Sequence, residues 1–328
     1  MEVANKQTIR YPEVILSASY LRLLLKSAFI GIAGHIVLKK RKAGNRIPVL
    51  CYHRVLPELI DDESCPIWSI LPEQFESQVR FFTEEGFNTL SLGEYDRIAK
   101  GLDPIMERSV LITFDDGFVD NYAIVWEIAR KYHIKINLFI CPSYIGMMHP
   151  ILVGQDGYVA ANSAPQKRSE EAVRHHITKF PQLWRPLTWQ ELREMQESGV
   201  QIGLHSYSHR NLALLKPEEI VADIGTGLAI MERELGQRPK YFALPYGWYD
   251  HYTSEIISIL QSFSLELIFA AHLGRARLPS TQPVVPRILI SHQDDMAIFQ
   301  QKLFGAYDYW EQTRRMKYVI TRFLRKSK

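Results

Sequence analysis

The chain has 328 residues, 46% of them hydrophobic and 23% charged, a globular composition that excludes fibrous and disordered classes and allows a sizeable core. Its three cysteines, Cys51, Cys65 and Cys141, exclude a disulfide framework and a structural zinc pattern. The net charge of +3 conceals an acidic body between two basic flanks, which argues for an anionic membrane surface as a partner and against nucleic acid.

Met1 to Tyr20 includes Glu2, Lys6, Arg10 and Glu13 and lacks the basic-then-apolar order of a secretory leader. A cytoplasmic or peripheral-membrane location is therefore expected. Residues 14–42 read as a helix whose apolar run, Ser27 to Leu38, is only twelve residues long. A spanning helix needs about 20. The segment is expected to lie on a membrane or pack on the body, and it ends in the basic run Lys39, Lys40, Arg41 and Lys42. It forms an N-terminal extension, residues 1–46.

From residue 47 strand-like runs alternate with amphipathic helices. The expected strands are Ile47–Tyr52, Phe87–Leu92, Ser109–Phe114, Ile134–Ile140, Val200–Leu204, Tyr241–Leu244, Leu265–Ala271 and Val285–Ile290. The expected helices are Pro72–Glu85, Phe118–Tyr132, Thr188–Ser198, Pro217–Leu235 and His251–Gln261, with Thr188 and Glu191 in capping-box spacing. Such alternation implies a parallel sheet. Seven or eight units over residues 47–305 give an α/β fold, a distorted (β/α) barrel with helical extensions at both termini. Residues 141–187 have no clear period and read as a functional or unstructured insertion. The last segment, residues 306–328, reads as a basic amphipathic helix. Met316, Val319, Ile320 and Phe323 share one face, and seven basic residues and no acid lie between Arg314 and Lys328.

In such barrels functional side chains sit at the C-terminal ends of strands. His53, Asp115, Asp116, His205 and the turn Pro245-Tyr246-Gly247 all fall there. In "LITFDDGFVDNY", residues 111–122, an apolar run stops at two adjacent carboxylates. Like charges so close repel, and a chain tolerates them where they are solvated or share a cation. A plain Asp-Gly turn is the bland alternative. "QIGLHSYSHR" supplies His205 and His209, four apart; on a helical turn both imidazoles would lie on one face. Two histidines and one carboxylate make a catalytic metal site with open positions, and the second carboxylate is then left as a base.

These motifs carry a resemblance. "TFDDG" at 113–117, "HSYSH" at 205–209 and "FALPYG" at 242–247, with the helix "LTWQELREMQESGV" before the second, resemble the polysaccharide deacetylases, the family-four carbohydrate esterases, over roughly residues 47–305. The resemblance implies a metal-dependent hydrolase that removes N-acetyl groups from N-acetylhexosamine units of a polysaccharide or glycolipid. It implies that Asp116, His205 and His209 hold one divalent ion, expected to be Zn²⁺. Asp115 would take a proton from the attacking water, and the backbone N–H of Tyr246 would help hold the oxyanion.

Three places depart from the family pattern. Ala243 stands where an arginine usually steadies the base. "IFAAHLGRA" at 268–276 lacks the usual acids and tryptophan, and "ILISH" offers only a loose match for the usual acid histidine, His292. A branch acting on secreted exopolysaccharides resembles the chain better, through "VLCYHRV" at 49–55 and "VPRIL" at 285–289. It implies His53 as general acid and Arg287 in place of the lost arginine, with His292 and His272 as other candidates for the acid. A core histidine and a structural ion pair are the bland readings of His53 and Arg287. For the whole chain the alternatives are a catalytically inactive carbohydrate-binding protein on the same barrel, or a hydrolase of a non-sugar amide.

Overall fold

The computed structural model describes residues 45–59, 68–147 and 167–308. The chain divides into Met1–Lys42 and Ala43–Lys328. The expected helix over residues 14–42 and the expected basic helix from residue 309 onward lie outside the described residues. Among the described residues no helix is long and apolar enough to cross a membrane.

The elements run β1 (Val49–Tyr52), β2 (Arg54–Val55), β3 (Ser69–Ile70), α1 (Pro72–Glu84), β4 (Asn88–Leu90), α2 (Leu92–Ala99) and β5 (Ser109–Asp116). A π-helical turn, Asn121–Trp126, leads into α3 (Glu127–Lys131) and β6 (Asn137–Ile140). There follow α4 (Lys167–Lys179), α5 (Trp189–Glu197), β7 (Gln201–Leu204), α6 (Pro217–Leu235), β8 (Tyr241–Ala243) and α7 (Ser254–Ser262). The chain then gives β9 (Leu267–Ala270), β10 (Val284–Pro286), β11 (Ile288–Leu289) and α8 (Met296–Leu303).

The large sheet is parallel, in the order β10-β9-β8-β7-β6-β5-β1-β11, with β4 also on β5. One run of chain closes it. β10 pairs with β9 and β11 pairs with β1, and only Arg287 separates the two pieces. The sheet is thus a nearly closed barrel of eight strands with helices around it, the distorted (β/α) barrel that strand–helix alternation implies.

Strand side chains alternate between two faces. On β5, Val110, Ile112 and Phe114 join the large core between sheet and helices, whereas Leu111 joins the core inside the barrel. Val49, Phe139, Ala243, Phe269 and Val285 fill the interior from other strands. Gly203 is required at this level: a Cβ there would stand 2.4 Å from the Phe139 ring. The same alternation carries Thr113, Asp115, Cys51 and Arg287 upward on the inner face, so the apolar filling becomes polar towards the strands' C-terminal ends.

The capping box forms as expected, with Thr188 accepting from the Glu191 N–H and the Glu191 carboxylate accepting from Thr188 N. Several expected elements differ. The helix expected from Phe118 begins as the π-helical turn at Asn121, because Phe118 is drawn into an antiparallel bridge with Pro186. The helix expected from His251 begins at Ser254, where the Thr253 side chain caps it. The last strand splits at Arg287. The insertion 141–187 contains α4, whose polar composition hid its period.

Candidate active site

Successive strand residues should point to opposite faces, so two neighbouring aspartates at a strand end should diverge. Here they converge, because Asp116 has a left-handed backbone, φ 77°. His205 Nε2 lies 3.8 Å from Asp115 Oδ2 and 3.6 Å from Asp116 Oδ1. Gly117, also at positive φ, continues the turn where a Cβ would press on Ile140 at 3.0 Å.

Asp115 is held by three hydrogen bonds. Arg287 reaches it in bidentate fashion, Nη1 donating to Oδ1 at 2.7 Å and Nη2 to Oδ2 at 2.6 Å, both residues being buried. Arg287 also donates to Thr113 Oγ1 at 3.3 Å and, through Nε, to the Ala270 carbonyl at 3.3 Å. The Cys51 thiol donates to Asp115 Oδ2 at 3.5 Å. Burial alone would raise this carboxyl, but Arg287, with His205 behind it, holds it well below the usual carboxylate range. Arg287 enters from the strand that closes the barrel and supplies the guanidinium that Ala243 lacks.

Asp116 is the opposite case. Its Oδ1 is buried without a hydrogen-bond partner among the described residues. Burial first, and then the neighbouring charge of Asp115, push it up to about 8. Facing this oxygen are two imidazole nitrogens, His205 Nε2 at 3.6 Å and His209 Nε2 at 3.5 Å. His205 Nδ1 lies 2.8 Å from the Ala243 carbonyl, which can only accept, so Nδ1 carries the proton and Nε2 presents a lone pair. Burial lowers the pKa of both histidines, His209 further through His205.

The segment His205–His209 is a turn and not helical, with Ser206 at φ 59° and His209 at φ 57°. Its shape is imposed by Asp223 on α6, which accepts from Tyr207 N at 2.8 Å and Ser208 Oγ at 3.0 Å. The imidazole rings still meet, centroids 4.9 Å apart.

The donor atoms of Asp116, His205 and His209 all lie within 4.8 Å of one another. Separations of 3.5–3.6 Å are too long for hydrogen bonds. Ligands about 2.0–2.2 Å from one tetrahedral ion stand ~3.4 Å apart. The trio, with its orphaned oxygen, therefore fits a divalent cation.

His53 follows β1 and is half-buried, on the inner face with Cys51. One of its ring nitrogens is within 4.8 Å of a carboxylate oxygen of Asp115. Burial lowers its pKa to about 4 against the pull of Asp115, which favours the neutral ring. Tyr246 lies at φ 61° in a tight turn closed by Gly247 N donating to Pro245 O at 2.7 Å. Its ring packs edge-on against His209, centroids 4.8 Å apart. A Cβ at Gly247 would stand 2.5 Å from Ala271 N, so glycine is required there.

His272 is buried and stacked on Tyr249, centroids 4.5 Å apart and planes at 13°. His292 is exposed, and its carbonyl accepts from Gln74 Nε2 at 3.1 Å. Among the described residues, the groups of potential ligands that contain Asp115 and Asp116 include neither. Two groups escaped the sequence reading. Cys51 shares the inner face with His53 at a spacing of two, a legible signal. Asp120, which lies in the quoted stretch, takes a partner, Arg54, that only the fold reveals.

Residues 103–263 match the family described as polysaccharide deacetylase. The chain carries a polysaccharide deacetylase domain. YxkH of Bacillus subtilis (strain 168), whose name gives polysaccharide deacetylase as a provisional assignment, is 22% identical over 208 residues, 63% of this chain and 59% of its own length. The poly-β-1,6-N-acetyl-D-glucosamine N-deacetylase of Escherichia coli (strain K12) is 20% identical over 275 residues, 80% of this chain and 39% of that enzyme. The chain thus spans less than two thirds of either relative. In fold it resembles the Streptococcus pyogenes deacetylase PplD, solved with acetate, with a TM-score of 0.61 at 20% identity over 79% of this chain and 98% of the other.

Proposed function

We propose that the protein is a metal-dependent N-deacetylase acting on N-acetylhexosamine units of a polysaccharide. One observation carries this reading: at a single strand end, one carboxylate is paired with Arg287 and its neighbour has a buried oxygen without a hydrogen-bond partner among the described residues, facing two imidazole nitrogens. Asp116, His205 and His209 hold the ion, expected to be zinc. When bound, the ion supplies a Lewis acid for the acetyl carbonyl and lowers the pKa of water beside it.

Asp115 accepts the proton of the attacking water. Arg287 keeps that carboxylate ionised and fixes its plane. The backbone N–H of Tyr246 contributes to holding the oxyanion. Expulsion of the amine needs a proton, and His53 delivers it. Because His53 is neutral at rest, that proton is gained during turnover. Asp115, within 4.8 Å, is close enough to pass it on through about one water.

The likeness to an enzyme named for poly-β-1,6-N-acetyl-D-glucosamine makes that polymer the first substrate to test and a glycolipid the second. The experiment is metal analysis of the purified protein with acetate release from β-1,6- and β-1,4-linked N-acetylglucosamine oligomers. About one equivalent of metal and acetate from a sugar are expected. Oligomer binding without release identifies an inactive binding protein, and release from other amides alone identifies a different hydrolase.

The basic segments at 39–42 and 314–328 are proposed to hold the protein on anionic lipid from the cytoplasmic side. Their support is charge alone, worth about 1 kcal/mol per basic residue near the surface. Flotation on phosphatidylserine liposomes at low salt, compared with a chain ending at Phe304, tests it; equal flotation rejects it.

A further inference from the structure

β1 pairs with β5 only as far as Tyr52 opposite Phe114. The next residue, His53, therefore has no ladder to fix its backbone. Its ring has no clamp either: Nδ1 is buried without a hydrogen-bond partner among the described residues. This contrasts with His205, whose Nδ1 is tied to the Ala243 carbonyl. A ring that must gain and lose a proton gains from such freedom, but its position must then come from the main chain.

The main chain is held from one side by two consecutive residues. Asn121 Nδ2 donates to the His53 carbonyl at 3.1 Å. Asp120 accepts from Arg54 Nε at 2.8 Å and from Val55 N at 2.7 Å. Residues 53, 54 and 55 are thus each gripped by Asp120 or Asn121, both fully buried. From the other side β3 holds the same stretch, Arg54 N donating to Trp68 O at 3.1 Å and Leu56 N to Ile70 O at 3.0 Å. The Arg54 guanidinium lies against Phe118 and Trp184, 3.8 and 4.6 Å from their ring centres, and donates to Leu183 O at 2.6 Å.

The grip begins four residues after the metal-facing Asp116. The intervening chain is itself braced, with Val119 N donating to Arg185 O at 3.1 Å and Leu187 N to Gly117 O at 2.8 Å. Asp120 and Asn121 open the π-helical turn, a form common at functional sites. A buried ion pair such as Arg54–Asp120 is poor evidence for stability, since well-packed apolar residues often do as well.

We propose that Asp120 and Asn121 are positioning residues for His53: they make the proton donor and the metal-facing carboxylate two ends of one rigid strap. This rests on the reading of His53 as the donor. A displacement of about 1 Å at a reacting group can cost about 10²-fold, the effect the strap prevents.

The test uses the full-length, metal-loaded protein with Asn121→Ala, the volume-keeping Asn121→Leu, and His53→Ala alongside. Metal content, melting temperature and turnover are measured on an N-acetylglucosamine oligomer and on 4-nitrophenyl acetate, whose leaving group needs no proton. Both Asn121 variants are expected to keep stoichiometric metal and to lose ~10- to 100-fold on the amide but no more than about 3-fold on the ester. His53→Ala shows the same selectivity more strongly. If His53→Ala is selective and neither Asn121 variant is, the strap is merely structural and the proposal is overturned. If His53→Ala itself lowers amide and ester alike, the donor reading fails and the proposal falls with it.

Discussion

Asp115 and Asp116 are neighbours in sequence and opposites in environment. The first accepts two hydrogen bonds from Arg287 and one from the Cys51 thiol. The second has a buried oxygen that nothing among the described residues satisfies. The fold holds the first carboxylate in its charge state with Arg287, whereas burial and the charge of Asp115 raise the pKa of the second.

The largest effect should come from breaking the side held by Arg287. Asp115→Asn removes the counter-charge of a fully buried guanidinium and should cost about 3–5 kcal/mol of stability, read by denaturant unfolding. In whatever folds, turnover should drop about 10²–10⁴-fold with the metal retained. Loss of metal from Asp115→Asn but not from Asp116→Asn would reverse the two assignments.

The Asp116 side should respond in the opposite sense. Asp116→Asn should abolish metal retention yet stabilise the metal-free protein at pH 8, on the order of 1–3 kcal/mol, because it removes an unsatisfied buried charge. The pH dependence divides the same way. The folded-state pKa of Asp116 is raised to about 8, so its contribution to stability is full below the unfolded value of ~3.9 and is lost as pH rises towards 8. Asp115 is depressed, so its contribution is present above the unfolded value and lost as the solution is acidified below it. A proton on Asp116 also competes with the ion. Apparent metal affinity should therefore rise about tenfold per pH unit up to about 8 and then level off, measurable by competition with a chelator. An affinity flat between pH 6 and 8 would contradict the environment described for Asp116.

The contrast also shows what a sequence can disclose. Alternation of strands and helices exposes the barrel, because both periods are written in the apolar residues. The "DD" and "HxxxH" spacings expose the cluster, because they place charge at strand ends. The roles of the two carboxylates are less legible. That Asp115 meets Arg287 depends on a strand that splits to pair with both sheet edges. That Asp116 turns to join it depends on one left-handed residue. The four-residue spacing of His205 and His209 would put both imidazoles on one face of a helical turn. Asp223, fourteen residues beyond His209, decides otherwise through hydrogen bonds that no local pattern encodes. The strap around His53 is invisible for the same reason, since Asp120 and Arg54 are 66 residues apart.

The smallest effect is the one that sharpens the comparison at its edge. Two histidines lie at the ends of the adjacent strands β1 and β11, and barrel closure brings both strands together. His53 is half-buried, with a ring nitrogen within 4.8 Å of Asp115. His292 is exposed on the turn before α8, where its carbonyl takes a hydrogen bond from Gln74 and the neighbouring Ser291 N donates to Asp294 Oδ2 at 3.0 Å. A proton donor must be within hydrogen-bond reach of the nitrogen it serves, directly or through one water. Reach therefore separates the two: His53 lies beside Asp115, whereas His292 lies on the surface. His292→Ala should change stability by no more than about 0.5 kcal/mol and amide turnover by about twofold at most, measured as acetate release across pH 5–9. A loss of tenfold or more on the amide with ester cleavage intact would transfer the donor's role to His292 and leave His53 as a neutral imidazole lining the barrel mouth.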